Sequence, residues 1–295
     1  MNDPAFQRPG PMPFRLLLDE ALRQARRHFR VLYAPVAIPL TVITTLLAVT
    51  QALWVSRASA NPARAGSPFG SPDVLLLAFA TLGALIVAVM ALQVGAMDSL
   101  MGRPVDMKRA WRFAVRGRVL GTLVLCFLAS LASVFCCCFP ALFVIPLLSF
   151  VSPVMIEEER FGFNAISRSS ELALYDSGQG FFERPLVKML LFMFVGLLIS
   201  YLLGLLVALP FQLPMWIDMF RGLAKGEDIS QAVPRWVWLQ VPGQFLNTLV
   251  STAVYVYTSF GVGLLYFDTR GRREGTDLRS EIDMVFGGPP PELPL

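Results

Sequence analysis

One uninterrupted apolar stretch constrains this chain more than any other feature. Residues 186–209 read LVKMLLFMFVGLLISYLLGLLVAL, which is 24 residues with a single charge, Lys188, near the start. At a rise of about 1.5 Å per residue, a helix of this length covers the roughly 30 Å hydrocarbon layer of a bilayer. Lys188 lies near enough to the predicted membrane surface for its long side chain to reach the headgroups. The stretch therefore predicts a transmembrane helix.

The composition extends this prediction to the whole chain. Hydrophobic residues make up 55% and charged residues 16%, whereas soluble domains carry about 25% charged residues. We expect an all-α integral membrane protein, a six-transmembrane-helix bundle with amphipathic interfacial helices on its cytoplasmic side. The predicted spans are residues 31–55, 74–97, 119–139, 141–156, 186–209 and 245–267.

Two terminal segments flank this membrane domain of residues 31–267. Residues 1–30 are a cytoplasmic lead-in followed by an amphipathic helix, and residues 268–295 are a charged cytoplasmic tail with a proline-rich end. Of the 25 lysines and arginines, 20 fall on the side of the two termini and five on the opposite side. Basic residues are retained on the cytoplasmic side of membrane proteins, so both termini are expected there. A re-entrant hairpin at 141–156 is the alternative, and it would place the tail outside.

Two basic segments next to predicted spans have the pattern of interfacial helices. Residues 14–30 repeat apolar side chains on one helical face and carry arginine on much of the remainder, and residues 98–118 repeat this arrangement. Such helices lie at the membrane surface and are attracted to anionic headgroups. The lipid bilayer with anionic headgroups is therefore the predicted partner, and the net charge of +4 is assigned to the membrane rather than to nucleic acid.

The chain is short of catalytic side chains. His28 is the only histidine, and it lies in the amphipathic segment, while no phosphate-binding glycine loop occurs in the sequence. Histidine-based triads and the histidine zinc motifs need residues that are missing here. No aspartate or glutamate falls in the middle of a predicted span, which argues against an ion-coupled transporter. We expect no enzymatic activity, no cofactor and no metal.

Two groups of polar residues within the predicted spans have alternative interpretations. Asn247, Ser251 and Thr258 share one face of the sixth predicted span, so they form a candidate polar pathway, although small hydroxyl residues also serve helix packing. The cysteines at positions 136–138 lie near the outer end of the third span. They point about 100° apart on a helix, which favours packing over a metal site.

Charged residues on the predicted cytoplasmic side form a candidate ion-pair network. Its members are Glu158, Arg168, Asp268, Arg270, Arg272 and Glu274. We expect Arg168 to pair with Asp268 or Glu274, and Glu158 or a neighbour to pair with Arg270 or Arg272. Gly271 and Gly275 predict a turn rather than a continued helix, which would let both arginines converge. The alternative is a set of solvated charges that only stop the chain in the membrane.

The same residues carry a resemblance to a known family. The segment YFDTRGRREGTDL at 266–278 resembles the closing motif of a bacterial membrane family that includes the membrane domain of some glycerophosphoryl diester phosphodiesterases. Glu158, AISRS at 165–169 and Leu172 resemble its middle motif, and residues 14–29 its opening helix. The chain departs from the family at Phe267, where a second tyrosine is usual, and in the cysteine triplet.

The resemblance implies a six-helix membrane domain in the bacterial cytoplasmic (inner) membrane. It does not imply phosphodiesterase activity, which belongs to a separate soluble barrel with histidines and metal-binding carboxylates. Two functions remain open on the residues. The first is a non-enzymatic scaffold or accessory subunit that acts on a membrane or cytoplasmic protein partner through its cytoplasmic face. The alternative is a transporter or channel for a small or lipid-like solute.

Overall fold

A computed structural model describes residues 13–60, 72–136, 138–175, 180–225 and 236–275, with side chains except at 59–60 and 136–142. Within these ranges every regular element is helical. The α-helices are α1 (Phe14–Ala60), α2 (Pro72–Leu100), α3 (Met107–Ala114), α4 (Gly117–Cys136), α5 (Cys138–Leu148), α6 (Val151–Glu157), α7 (Phe163–Ala173), α8 (Pro185–Lys225) and α9 (Gln240–Glu274). Short 3-10 turns at Phe181–Glu183 and Val237–Leu239 precede α8 and α9.

Five helical segments among the described residues are long and apolar enough to cross a membrane. They are α1, α2, α4, α8 and the segment Val237–Glu274, which consists of α9 with its preceding turn. Much of α8 leaves large apolar side chains uncovered, as at Leu197, Leu206 and Tyr201. Apolar surface of this extent is suited to lipid rather than to water. The helical class is confirmed, and the chain has the helices of a multi-pass membrane protein.

The fourth predicted span is not one of these five segments. It is divided into α5 and α6, which are separated by a turn at Ser149 and Phe150. Pro153 supplies the physical reason, because in a continuous helix its ring would clash with the carbonyl group of Ser149. In α6 it instead lies in the first turn, where the missing N–H group costs little.

Two predicted helix ends do not occur in the structure. The amphipathic segment 14–30 and the first span form the single helix α1, which includes Pro35 and Pro39. Likewise, the fifth predicted span ends at residue 209, whereas α8 continues through Pro210 and Pro214 to Lys225. A proline inside a membrane helix frees a carbonyl group that its surroundings can satisfy, so the helix need not end there.

Part of the apolar face of the amphipathic segment is covered by protein. Leu17 and Ala21 have no exposed surface, and Ala25 is also buried. Leu22 on the same face is 42% exposed, so the predicted contact of this segment with the lipid interface stays a prediction. The periodicity correctly located an apolar face, but periodicity alone does not distinguish a face that meets lipid from one that meets other helices.

The chain forms two compact units. Unit 1 comprises Met1–Phe29, Met90–Val195 and Val256–Leu295, and unit 2 comprises Arg30–Val89 and Gly196–Tyr255. In unit 2, the Tyr33 hydroxyl donates to the Leu249 carbonyl at 3.1 Å. The hydroxyls of Thr44 and Thr248 lie 3.0 Å apart, so α9 bonds to α1 in this unit through the Thr248 side chain and the Leu249 carbonyl.

Unit 1 holds α8 and α9 in close contact. A methyl group at Gly261 would overlap the Phe192 ring, and one at Gly263 would lie 2.7 Å from a Leu100 methyl group. The Ser169 hydroxyl of α7 donates to the Leu147 carbonyl of α5. These contacts in unit 1 position the charged ends of α6, α7, α8 and α9, which the next section describes.

Candidate functional site

Five polar residues of unit 1 form a closed ring of hydrogen bonds, which we call the Arg168 ring. Arg168 Nε donates to both Glu158 oxygens at 3.2 and 3.1 Å, and its terminal nitrogen donates to Glu274. Arg270 Nε donates to Glu274 at 2.8 Å. Arg270 also contacts the Tyr266 hydroxyl at 3.4 Å, and that hydroxyl donates to Glu158 at 3.0 Å, which closes the ring.

Four charged residues of unit 1 form a second ring, which we call the Lys188 ring. Lys188 Nζ lies 2.7 Å from Glu183 and 3.5 Å from Asp268. Arg272 lies 3.1 Å from Asp268 and 3.6 Å from Glu183. Positive and negative charges therefore alternate around the ring, so every neighbouring pair attracts.

The helical period of α9 explains why there are two rings. Tyr266, Arg270 and Glu274 are four residues apart, so they share one face of the helix. Asp268 and Arg272 are also four apart and occupy another face, about 200° around the axis from the first. The closing segment thus presents one polar face to each ring.

This geometry corrects the expected turn. Gly271 lies inside α9, and the helix continues to Glu274, so the arginines diverge rather than converge. Gly275 adopts a positive φ of 62° just after the helix, a conformation typical of a C-terminal glycine. The predicted turn therefore occurs at Gly275 but not at Gly271, where the helix continues.

Further ion pairs in unit 1 surround the Arg168 ring. Arg270 lies 3.5 Å from Glu157, and Arg160 lies 3.3 Å from Glu158. Glu171 lies 3.5 Å from Arg168 and 3.3 Å from Arg273. Both rings and these pairs together contain six carboxylates and six cations. Because the cluster has no net charge, it is suited to joining helices through its internal ion pairs rather than to binding a free ion.

The Lys188 ring is the more deeply buried of the two. The side chains of Lys188 and Asp268 are 1% and 4% exposed, and that of Arg272 is 10% exposed. Taking such charges out of water costs several kcal/mol for each ion, which only close partners offset. We had expected Lys188 to reach the lipid headgroups. The structure instead turns it inward, because Asp268 and Glu183 provide that compensation.

The pairing changes the acidity of the groups outside the spans. The hydrogen bond from Lys188 is the main cause that lowers the pKa of Glu183 below its ordinary value of 4.5, and the charge of Arg272 adds to it. For Arg168, burial alone would lower the pKa, but the bond and charge of Glu158 reverse this and raise it. Both groups are therefore charged at neutral pH, as ion pairing requires.

All six residues of the predicted ion-pair network lie in these rings. Of the two carboxylates expected for Arg168, Glu274 contacts it, while Asp268 belongs to the Lys188 ring. Arg270 reaches Glu157, the neighbour of Glu158. The arrangement can hold α6 and α7, in the middle of the chain, to the end of α9. A carboxylate oxygen that is already paired with a guanidinium is poorly placed to accept a proton from a substrate.

The residues of the predicted polar pathway are divided between the units. Asn247 and Ser251 belong to unit 2, whereas Thr258 belongs to unit 1. Asn247 Oδ1 lies 2.9 Å from the position that a Cβ atom on Gly204 would occupy. This close approach of α8 and α9 within unit 2 is a packing contact of the kind that small residues allow. The cysteine side chains at 136–138 lie outside the described residues.

Several ring members were missed from the sequence. Tyr266 could have been found from its spacing to Arg270 and Glu274, since a three-residue polar face at the end of an apolar helix is conspicuous. Lys188 and Glu183 carried no such signal, because their partners are distant in the chain. In the described part of the chain, no group of three or more histidine, cysteine, aspartate or glutamate side chains is placed to hold a metal ion.

Comparison with known proteins adds no relative to this description. No family model matches the chain, and no curated protein or solved structure matches it. The resemblance of residues 266–278 to the closing motif of the phosphodiesterase-associated membrane family stays a prediction. What the geometry adds is a structural role for the residues of that motif up to Glu274.

Proposed function

We propose that this chain is a non-enzymatic, multi-pass protein of the bacterial inner membrane that serves as a scaffold or accessory subunit. Its active surface is the cytoplasmic face, to which the two rings belong. The proposal is supported by the concentration of paired charges at the ends of α6, α7 and α9 and at the start of α8. Such pairing yields a rigid surface rather than a reactive one.

The proposal includes six spans with both termini in the cytoplasm. The five long apolar segments supply five crossings, and α5 with α6 makes the remaining one, which the chain needs if both termini are to lie on one side. The basic residues support this arrangement, since the six between residues 98 and 118 would all lie on the inner side.

The observation that carries the scaffold function is a set of uncovered apolar side chains beside the paired charges. Four large apolar residues near α7 and the turn before α8 are more than three-fifths exposed, although they lie outside the long candidate spans: Phe163, Leu174, Phe181 and Phe182. Exposed aromatic residues on a rigid support are typical anchors of protein interfaces. We therefore assign these four residues, the apolar anchors, to contact with a protein partner.

Photo-crosslinking in living cells tests this function. A photoreactive amino acid is placed singly at each apolar anchor, and the products are separated by mass. We expect a discrete adduct with one protein from at least two anchors. Phe79 is the matched control, because it is an equally exposed aromatic residue on α2, where we expect lipid adducts only.

The same experiment can contradict the proposal. Lipid adducts alone at all four anchors would mean that these residues only hold the protein in the membrane. Flux of a solute through vesicles that contain the purified chain alone would favour the transporter or channel instead.

A further inference from the structure

We propose that α3 and the residue pair after it form a binding surface for the phosphate headgroups of anionic phospholipids. The surface, which we call the α3 cation patch, consists of Lys108, Arg112 and Arg116. It rests on the proposed membrane location but not on the proposed protein partner. It also differs from the apolar anchors, which belong to other elements.

Two cations of the patch, Lys108 and Arg112, share one face of α3, and Arg116 follows just beyond the end of that helix. Lys108, Arg112 and Arg116 are four residues apart, and all three side chains are exposed. The opposite side of α3 carries Ala110 and Ala114, which have no exposed surface. Because alanine allows close packing, α3 is held against the protein by its small side and displays its cations on the other.

Local contacts in unit 1 fix the orientation of α3. The Asp106 side chain accepts a hydrogen bond from the Lys108 backbone at 2.9 Å and caps the first turn. Arg109 lies 3.8 Å from the buried carboxylate of Asp98 at the end of α2. Arg109 is thus occupied by the protein, and it is not a member of the patch.

The surroundings of the patch favour lipid over other anions. The patch lies between two candidate spans, since α2 ends at Leu100 and α4 begins at Gly117, so Arg112 and Arg116 lie within about five residues of the start of α4. Val115 is 53% exposed, and the Arg116 guanidinium lies 5.2 Å from the centre of the Phe113 ring. Cations mixed with apolar and aromatic side chains at a membrane boundary are suited to headgroups.

Trp111 provides a probe beside the patch. Its ring is partly exposed, and its position on α3 is about 60° around the helix from Lys108 and about 100° from Arg112. Brominated acyl chains quench tryptophan fluorescence on contact. The full chain is reconstituted in vesicles of phosphatidylglycerol and phosphatidylcholine, with each lipid brominated in turn. Subtraction of the same measurement on Trp111→Phe isolates the signal of Trp111.

We expect brominated phosphatidylglycerol to quench Trp111 with at least about fivefold higher apparent affinity than brominated phosphatidylcholine, since one basic residue near a surface contributes about that factor. The triple variant Lys108→Gln, Arg112→Gln, Arg116→Gln should lose this preference. The control variant Arg57→Gln, Arg221→Gln removes exposed cations from the far ends of α1 and α8 and should keep it.

Ionic strength provides a second measurement that needs no mutation. Raising the salt concentration from 0.05 M to 0.5 M shortens the screening length and should reduce the preference of the wild-type chain for phosphatidylglycerol. Equal quenching by both lipids at low salt would overturn the inference. A preference that survives in the triple variant would also overturn it, because the anionic lipid would then be held elsewhere.

Discussion

At the scale of single residues, Lys188 shows how a membrane-edge charge can be used inside a protein. A lysine at the start of an apolar helix normally extends to the headgroups. Here its side chain is 1% exposed and contacts Glu183 and Asp268. The sequence predicts that Lys188 lies at the start of an apolar helix. It does not predict which way the side chain points, because that depends on the carboxylates of Glu183 and Asp268, which other elements supply.

Removal of this charge should destabilise the protein strongly. Lys188→Met leaves two carboxylates with one fewer cation in a buried site, so we expect a loss of about 3–5 kcal/mol in the free energy of unfolding. The measurement is unfolding of the purified protein in mixed detergent micelles. Lys225→Met, at an exposed lysine of the same helix, should cost no more than about 1 kcal/mol. Equal losses for the two variants would mean that Lys188 is not buried among partners.

The Lys188 ring should also give the protein an acid-sensitive stability. Because the folded state lowers the pKa of Glu183, this residue stabilises the fold above its ordinary pKa of 4.5. That contribution is lost as the pH falls below this value through the folded-state pKa. Glu183→Gln should lower the thermal midpoint at pH 7 and flatten its decline between pH 5 and pH 3. Asp73→Asn, at an exposed carboxylate of α2, should retain the wild-type profile.

At the scale of helices, the sequence predicted the spans better than their ends. Apolar length identified α2, α4, α8 and α9, because hydrocarbon requires a minimum number of apolar residues. The predicted boundary between residues 30 and 31 and the predicted end of the fifth span at residue 209 are wrong, because α1 and α8 are continuous helices that contain prolines, whereas the chain does turn at Ser149 and Phe150, just before Pro153. Whether a proline ends a helix depends on what neighbouring helices offer to the freed carbonyl, and a single sequence does not contain that information.

The ion-pair network was partly predictable for a related reason. The charges of residues 268–274 lie just after an apolar span, so their common location was evident. The pairing of Arg168 with Glu274 joins residues 106 positions apart, and the sequence offered Asp268 as an equal choice. The helical phase of α9 decided between them, because it directs Glu274 and Asp268 to different faces.

Coupling between α7 and the end of α9 can be measured directly. In a double-mutant cycle of Arg168→Gln and Glu274→Gln, we expect a coupling energy of about 1–3 kcal/mol, because the pair belongs to a connected and partly buried ring. Arg23 and Glu20 form the control pair within α1, where the arginine side chain is 75% exposed. Their coupling should be about 0.5 kcal/mol or less. A coupling for the ring pair that is as small as the control would refute the ring.

The contact of α8 with α9 makes a separate prediction. Gly261→Ala should destabilise the protein by about 1–3 kcal/mol, because the added methyl group meets the Phe192 ring. Adding Phe192→Leu should restore part of this loss, even though that change alone is unfavourable. Gly83→Ala in α2 is the control, since nothing lies within 4 Å of the added atom. It should be neutral or stabilising by up to about 1 kcal/mol. A matching loss at both glycines would exclude a specific contact at Gly261.

At the scale of the whole molecule, the account depends on the side of the membrane to which the rings belong. Five long apolar segments alone would leave the two termini on opposite sides. In the proposed topology, a sixth crossing by α5 and α6 returns the chain, which would bring the rings, the apolar anchors and the α3 cation patch to the cytoplasmic side. Loss of that one crossing would separate the closing segment from the cytoplasm and remove the basis of the scaffold function.

Labelling of single cysteines with a membrane-impermeant maleimide tests this most directly. The native cysteines at 126 and 136–138 are first replaced by serine, and one cysteine is then placed at Arg57, Arg112 or Leu295. We predict that Arg57→Cys reacts in intact spheroplasts, whereas Arg112→Cys and Leu295→Cys react only after the membrane is opened. Reaction of Leu295→Cys in intact spheroplasts, with Arg112→Cys still protected, would contradict the six-span account.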